Sequence, residues 1–323
     1  MTLAPEPAAE HFQARFERRW GGLRHPRVRA LAWLLDSPGL LDGADPYWHG
    51  KVMQPAAVTP EVERWLYALD HDPGPLNAAL GERPYTRLGL YAEKLMAFYF
   101  SAHGRLVAHG LQVRATRNDT VGEFDFLLDA GEGVHGVDHI EFATKFYLLQ
   151  RQDPHDPDDL RALVGPNLAD SLGAKMRKIV TRQLVLGQHP AAQALLARPV
   201  VRAHALVKGW LFYPLQGGAS AAMRGIDPNH CRGFWCAHGE IDLLPDASYL
   251  ILPKLQWLAP YKHSTDASVL TRAALHATLA AQFETHDSPV LVAQLRHAAG
   301  HVIEIDRGFI VPNDWPAKAA ALP

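Results

Sequence analysis

Cysteine, long apolar runs and a signal sequence are all scarce or missing in this chain. Only two of its 323 residues are cysteines, Cys231 and Cys236, which excludes the disulfide framework that stabilises many small secreted proteins. No apolar run approaches the ~20 residues of a membrane-spanning helix. The N-terminal segment MTLAPEPAAEHFQARFERRW mixes acids with arginines and has no apolar core, which is unlike a signal peptide. We therefore expect a cytoplasmic protein.

An excess charge of either sign is also missing. The 32 lysines and arginines nearly balance the 34 aspartates and glutamates, and the formal net charge is −2. The molecule as a whole therefore lacks the electrostatic footprint of a nucleic-acid-binding protein, so any such binding requires a local basic patch. The apolar content of 48% is enough for a sizeable core.

Composition and turn signals predict three segments. Residues 1–80 look helical and irregular and end near the turn-rich stretch DHDPGP. Residues 81–215 carry the clearest pattern and are expected to form an α/β core, a mixed sheet flanked by helices. Residues 216–323 are expected to form an α/β extension packed on that core.

A helix and three strands open the predicted core. Apolar residues recur every three or four positions over 86–103, which predicts a helix, and Glu93 lies on its second face between small residues. Period-two patterns then predict strands over 106–116, 122–129 and 139–149. The last two are separated by a glycine-containing break, so we expect them to pair as an antiparallel hairpin.

Acidic residues share one face of these last two strands. Residues two apart in a strand point the same way, so Glu123 lies with Asp125, and Glu141 lies with Lys145. Carboxylates on a buried face need a cation or a shifted pKa. Mg²⁺ suits them, because it binds one or two carboxylates together with water and phosphate oxygens. The alternative is a solvated strand face.

A helix is predicted over 167–186, with Asn167 as its N-cap, Asp170 in its first turn and Leu168 on its apolar stripe.

This predicted helix also supplies polar candidates for the site. Gln183 lies within its apolar stripe, where it either faces the site or bonds a loop carbonyl. Lys175, Lys178 and Arg182 form a basic stripe on a neighbouring face. That stripe is either a solvated helix face or a surface that contacts phosphates.

The pattern of acids resembles a known superfamily. The order is a helix with Glu93, a strand with Asp125, a strand with Glu141 and Lys145, and then a helix. Together with the phrases RLGLYAEKLMAFYF, GEFDFLLD, HIEFATKFYLL and LVGPNLADSLGAKMRKIVTRQLVL, this order resembles a bacterial family of unknown function placed in the PD-(D/E)XK nuclease-like superfamily. The phrases LVKGWLFYP, LPKLQWLAP and RGFIVPNDWP extend the family resemblance over nearly the whole chain.

The resemblance implies a restriction-endonuclease-like core and roles for several residues. Asp125 and Glu141, with Glu123 beside them, would hold Mg²⁺ or Mn²⁺. Lys145 would be the catalytic lysine and Glu93 the acid on the helix. Gln183 would support the site, and nucleic acid would be the substrate, contacted by the basic stripe of Lys175, Lys178 and Arg182.

Two departures from the superfamily pattern bear on activity. Phe124 replaces the proline before Asp125, and Lys145 follows Glu141 by four residues, with Ala143 between them. At ~3.3 Å per residue, the Cα atoms of Glu141 and Lys145 are ~13 Å apart along the strand instead of ~6.6 Å. The sequence thus supports two hypotheses: a metal-dependent nuclease, or an inactive nuclease-fold protein that binds nucleic acid or protein. A third class, a sugar hydrolase with paired carboxylates, has no recognisable sugar-binding signature.

Overall fold

The computed structural model describes residues 11–82, 84–116, 119–150, 159–216, 223–264, 269–298 and 300–322. Within these ranges helices α1 to α9 run over Phe12–Trp20, Pro26–Asp36, Pro60–His71, Gly74–Leu80, Leu88–Ala102, Leu172–Lys178, Pro190–Leu195, Arg272–Phe283 and Trp315–Ala320; α6, at Leu172–Lys178, continues directly into a π-helical turn, Ile179–Gln183. Strands β1 to β11 run over Leu106–Thr116, Asp119–Asp129, Val137–Leu149, Leu163–Val164, Val200–Pro214, Cys231–Ala237, Ser248–Ile251, Lys262–His263, Leu270–Thr271, Val290–Ala298 and His301–Val311. In this part of the chain no helix is both long and apolar enough to cross a membrane.

The strands form one mixed sheet in the order β1-β2-β3-β5-β6-β11-β10-β7-β9, with β4 added to β3 and β8 added to β11. The four central strands, β3, β5, β6 and β11, are parallel to their neighbours within this group. Antiparallel pairs extend the sheet on both sides. The predicted mixed sheet flanked by helices is confirmed, and so is the antiparallel pairing of β2 with β3.

Helices cover both faces of this sheet, which is why alternate residues of β3 are buried on opposite sides. Phe142 and Phe146 pack in a cluster that includes residues of α1 to α5 and α9. Ala143 and Tyr147 pack in a second cluster with residues of α6. The odd-numbered positions of β3, among them Glu141 and Lys145, therefore face α6.

The described N-terminal residues form helices α1 to α4 up to Leu80, with an irregular stretch over residues 37–59 that contains one short 3₁₀ turn, Pro46–Trp48. At the other expected boundary, at residue 215, the sheet continues without a break, because β5 pairs in parallel with β6. The division into three segments remains a prediction.

The helix predicted over 167–186 is shorter and less regular than expected. It begins after Ser171, whose hydroxyl accepts the backbone N–H of Ala174, so Asn167 is not the N-cap. Leu168, expected on the apolar stripe of the helix, has a left-handed backbone with a φ of 57° in the preceding loop. The loop is fixed by pairing within itself, which the helical pattern does not reveal, since Val164 bridges to Ser171 and Gly165 N–H donates to Asp170.

Candidate functional site

The helix acid Glu93 is held by a histidine from β1. Its Oε1 lies 2.6 Å from Nε2 of His109, whose ring stacks on Phe126 at 5.3 Å between centroids. Both side chains are partly buried. This contact fixes the Glu93 carboxylate beside β2, near the strand residue Asp125.

Asp125 lies where the ladder between β2 and β3 ends. The paired register runs from Asp129 and Val137 to Phe126 and Ile140. One residue beyond it, Asp125 Oδ2 accepts the backbone N–H of Phe142 at 2.9 Å. At this point a side-chain oxygen, instead of a backbone carbonyl, accepts the backbone N–H of β3. This hydrogen bond brings the Asp125 carboxylate next to Glu141.

Glu141 is almost fully buried, with 1% of its surface exposed. Its Oε1 accepts a hydrogen bond from Nε2 of Gln183. Its Oε2 has no hydrogen-bond partner among the described residues, and neither do the two ring nitrogens of His139. His139 Nε2 lies 3.8 Å from this free oxygen. Orphaned polar atoms in one buried place indicate that a proton, a water or an ion belongs there.

Burial raises the pKa of Asp125 to about 7, and the nearby charges of Glu141 and Glu93 add to the shift. Burial likewise raises the pKa of Glu141 to about 7, and the charge of Lys175 opposes this shift. Burial lowers the pKa of His139 to about 4, so that imidazole is neutral beside the acids. The two carboxyl groups also hydrogen-bond to each other, which raises the pKa of Asp125 and lowers that of Glu141, as expected of two acids that share one proton.

A match to a known protein family covers most of the fold described above. Residues 29–311 match the family described as "Domain of unknown function (DUF1853)". The chain belongs to that family. No curated protein and no solved structure gives a match. The DUF1853 region contains all of the acids described above, and its description assigns them no activity.

In the DUF1853 fold Lys145 binds a different carboxylate and not one of these acids. Its Nζ donates to Oδ2 of Asp170 at 2.6 Å, and the hydroxyl of Tyr147 donates to the same oxygen at 3.2 Å. The shared face of Glu141 and Lys145 is as predicted. The four-residue spacing separates them enough for Asp170, in the loop before α6, to bind the lysine.

Lys175 is the cation that does approach the acids. Its Nζ donates to Oε1 of Gln183 at 3.3 Å, and the same amide donates to Glu141. Burial lowers the pKa of Lys175, while the negative charges of Glu141 and Asp125 raise it. Lys175 was predicted on a basic stripe that is either solvated or in contact with phosphates, and in the structure it is half-buried beside the acids.

The remaining predicted residues lie outside the acidic site. Glu123 is exposed on β2 opposite Gln112, and its carboxylate lies over Gly110 of β1, whereas Asp125 reaches toward β3. Lys178 and Arg182 are exposed. The charge of Lys178 still acts on Glu141, so part of the basic stripe borders the site.

The donor set fits a hard divalent ion with two protein ligands. Among the described residues, no three His, Cys, Asp or Glu side chains converge to hold a metal by themselves. Asp125 and Glu141 supply carboxylate oxygens, one of them without a partner, and Mg²⁺ needs no more than one or two carboxylates with water. Cys231 and Cys236 are free and buried, as expected of cysteines that pack in a core.

Three residues of this site were missed by pattern reasoning. His109 and His139 lie on strands, where a histidine is not distinguished from any half-buried side chain. Asp170 was taken as a residue of the first helical turn, whereas the loop places it against Lys145. Lys175 and Gln183 were both among the predicted residues, but their contact was not predicted. The π-helical turn that brings them together cannot be predicted from a 3.6-residue period.

Proposed function

We propose that this protein is a metal-dependent phosphodiesterase that hydrolyses nucleic acid, built on a restriction-endonuclease-like core. The observation that carries the proposal is the meeting of Asp125 and Glu141. They come from neighbouring strands, Glu141 is buried and Asp125 is partly buried, and one oxygen of Glu141 receives no donor among the described residues. Such a pair is costly to ionise unless a cation binds it.

Asp125 and Glu141 would hold the ion, Mg²⁺ or Mn²⁺. When bound, such an ion polarises a phosphoryl oxygen and lowers the pKa of a coordinated water. Glu93, fixed by His109, adds a third negative charge that acts on both acids. Gln183 keeps Glu141 in place through the amide hydrogen bond.

The proposed reaction is the hydrolysis of a phosphodiester by one water molecule. The water oxygen bonds to phosphorus while the phosphorus–oxygen ester bond breaks. One proton of the water goes to the leaving oxygen, and the other stays on the phosphomonoester or passes to a basic group. The products are a phosphomonoester and a free hydroxyl.

The direct test is cleavage of single- and double-stranded DNA and RNA with Mg²⁺ or Mn²⁺. We expect metal-dependent cleavage by the wild-type protein and its loss in Asp125→Asn and Glu141→Gln. A matched control is Asp242→Asn, in the second G-E-x-D sequence of the chain, Gly239 to Asp242. Asp242 is exposed, so this variant should cleave like the wild type. Equal activity of Asp125→Asn and the wild type would refute the assignment.

A second readout is independent of the substrate chosen. A ligand that binds only the folded state raises its stability, so Mn²⁺ should raise the melting temperature of the wild type and of Asp242→Asn. Asp125→Asn should lose this shift. Folding of the variant is checked by its circular dichroism spectrum before metal is added.

The alternative function is a nuclease fold that binds nucleic acid without cleaving it. The bond between Lys145 and Asp170 favours it, because that bond removes the lysine of the superfamily pattern from the acids. It predicts salt-dependent binding that survives Asp125→Asn and weakens on charge reversal at Lys178, with no cleavage under any metal condition.

A further inference from the structure

The lysine expected to assist the acids is already neutralised elsewhere. Lys145 lies 2.6 Å from Asp170, whose position is fixed by its loop. Asp170 O accepts Gly165 N–H at 2.8 Å, and the carbonyl of Pro166 accepts the indole N–H of Trp315 at 2.7 Å. Lys145 is thus bound to a carboxylate of this loop, and the loop is held in place by these two hydrogen bonds.

A second lysine is connected to the acids through one amide. The Gln183 side chain accepts from Lys175 with its oxygen and donates to Glu141 with its nitrogen. This orientation of the amide is the one that a cation on one side and an anion on the other both favour. Lys175, Gln183 and Glu141 therefore form a continuous polar chain that ends at Oε1 of Glu141, the carboxylate whose other oxygen, Oε2, receives no donor among the described residues.

The π-helical turn makes this alignment. In a regular α-helix the residue seven positions after Lys175 would share its face, and that residue is Arg182. The turn over Ile179–Gln183 inserts an extra residue, so Gln183 takes the inward position and Arg182 is exposed. Turns of this kind occur often at functional sites.

We propose that Lys175, and not Lys145, is the lysine of this acidic site, with Gln183 as the residue that positions it. The inference rests on the proposed phosphodiesterase function. Lys175 stays protonated and supplies a fixed positive charge for the phosphate oxygens of the substrate, where negative charge grows during hydrolysis. No proton leaves it in this role.

Cleavage kinetics of three charge-removing variants test the assignment. Lys175→Gln should lower kcat about 100-fold, the usual cost of removing one charge-stabilising group. Lys145→Gln should lower it by less than about tenfold, because Asp170 already neutralises that charge. Arg177→Gln, an exposed position of the same helix, is the control and should match the wild type. Loss of activity in Lys145→Gln with activity kept in Lys175→Gln overturns the assignment.

Metal affinity gives a readout that does not depend on cleavage. Because Lys175 repels a second cation, Lys175→Gln should bind Mn²⁺ about threefold or more tightly than the wild type in calorimetry. Lys145→Gln and Arg177→Gln should stay within about twofold. A purely structural role for Lys175 would weaken Mn²⁺ binding, so weaker or unchanged affinity contradicts the proposal.

The experiments distinguish a failure of the proposed phosphodiesterase function from a failure of the lysine assignment. If the wild type binds no Mn²⁺ and cleaves nothing, the phosphodiesterase function fails, and the role of Lys175 fails with it. If the wild type binds Mn²⁺ through Asp125 but Lys175→Gln changes neither affinity nor rate, only the assignment of the lysine fails. Lys175→Arg keeps the charge, so it should retain wild-type Mn²⁺ affinity even if Lys175→Gln does not fold.

Discussion

At the scale of single residues, the buried charged groups of this protein fall into two kinds. Arg307 is fully buried and donates to both carboxylate oxygens of Glu304, at 2.6 and 2.7 Å, and to the carbonyls of Trp257 and Ala259. Glu141 instead accepts one amide N–H, and the other group that it contacts is a second acid, Asp125. A satisfied pair of the first kind is structural, whereas an incomplete group of the second kind is where a ligand is expected.

Loss of the Glu304 charge should destabilise the protein strongly. Glu304→Gln leaves the Arg307 guanidinium buried without its counter-ion, which costs about 3 kcal/mol or more of the free energy of unfolding. Urea denaturation measures it. The control is Asp314→Ala, which breaks the solvent-exposed pair with Lys318 and should produce no measurable change. Equal effects of the two variants would contradict the structural role of the buried pair.

Lys208 should make the stability depend on alkaline pH. It is fully buried and donates to the carbonyl of Ser37, and burial lowers its pKa from 10.5 to about 8. Below pH 8 both the folded and the unfolded chain carry the proton. Between pH 8 and 10.5 only the unfolded chain keeps it, so the stability rises with pH in that window, by about 3 kcal/mol in total.

Comparison with Lys208→Met isolates this contribution. The free energy of unfolding of the wild type should rise relative to that of the variant by about 2 kcal/mol between pH 7.5 and 9.5, measured in urea at each pH. Lys51→Met, at an exposed position, should track the wild type. A constant difference between wild type and Lys208→Met over this range would show that Lys208 keeps its ordinary pKa in the fold.

At the scale of elements, the strands of the site were predicted well and the helix behind them was not. β1 has the expected bounds, and β2 and β3 begin three and two residues earlier than expected, because alternating burial marks a strand directly. Strand parity also placed Glu141 and Lys145 on one face. The start of α6 was wrong, since the bridge between Val164 and Ser171 outweighs the local capping pattern at Asn167.

The rest of the site depends partly on one loop and one helical turn whose geometry the sequence pattern does not predict. The meeting of Asp125 and Glu141 follows from hairpin pairing and was expected. The capture of Lys145 by Asp170 follows from the geometry of one loop, and the inward position of Gln183 follows from one π-helical turn. No periodicity in the sequence encodes either feature.

Gly209 should be indispensable to the pairing of β3 with β5. It lies opposite Lys145 in this parallel ladder, with a φ of 153°, and a Cβ there would lie 1.7 Å from the carbonyl oxygen of Lys145. Gly209→Ala forces the two backbones apart and should cost about 2 kcal/mol or more in the free energy of unfolding. It should also weaken Mn²⁺ binding, because β3 carries Glu141.

The control for this variant is Gly89→Ala on α5. A Cβ at Gly89 meets no atom within 4 Å, so alanine should leave stability unchanged or raise it by up to about 1 kcal/mol. Thermal melts of the two variants decide the point. Tolerance of alanine at Gly209 would mean that β3 and β5 are not packed this closely.

At the scale of the whole molecule, the sheet joins the expected core to the C-terminal extension. β5 pairs with β6, and β6 pairs with β11, so the strands before residue 215 and the strands after it form one sheet that is joined at the pair of β5 and β6. Side chains cross the same boundary: the indole of Trp210 donates to the carbonyl of Leu258, and that of Trp235 donates to the carbonyl of Leu149. The acidic site therefore rests on a sheet that the segment 81–215 does not complete by itself.

The full chain should consequently unfold as one unit, and a fragment of residues 1–216 should not fold. Without β6 the parallel edge of β5 is unpaired, and Trp210 and Phe212, both fully buried in the intact protein, lose part of their cover, which favours aggregation. We expect a single calorimetric transition for the full chain, with equal van't Hoff and calorimetric enthalpies, and no native near-ultraviolet circular dichroism for the fragment. Two separated transitions, or a soluble fragment that still binds Mn²⁺ through Asp125 and Glu141, would show that the site belongs to an autonomous core and that the rest of the sheet is an addition to it.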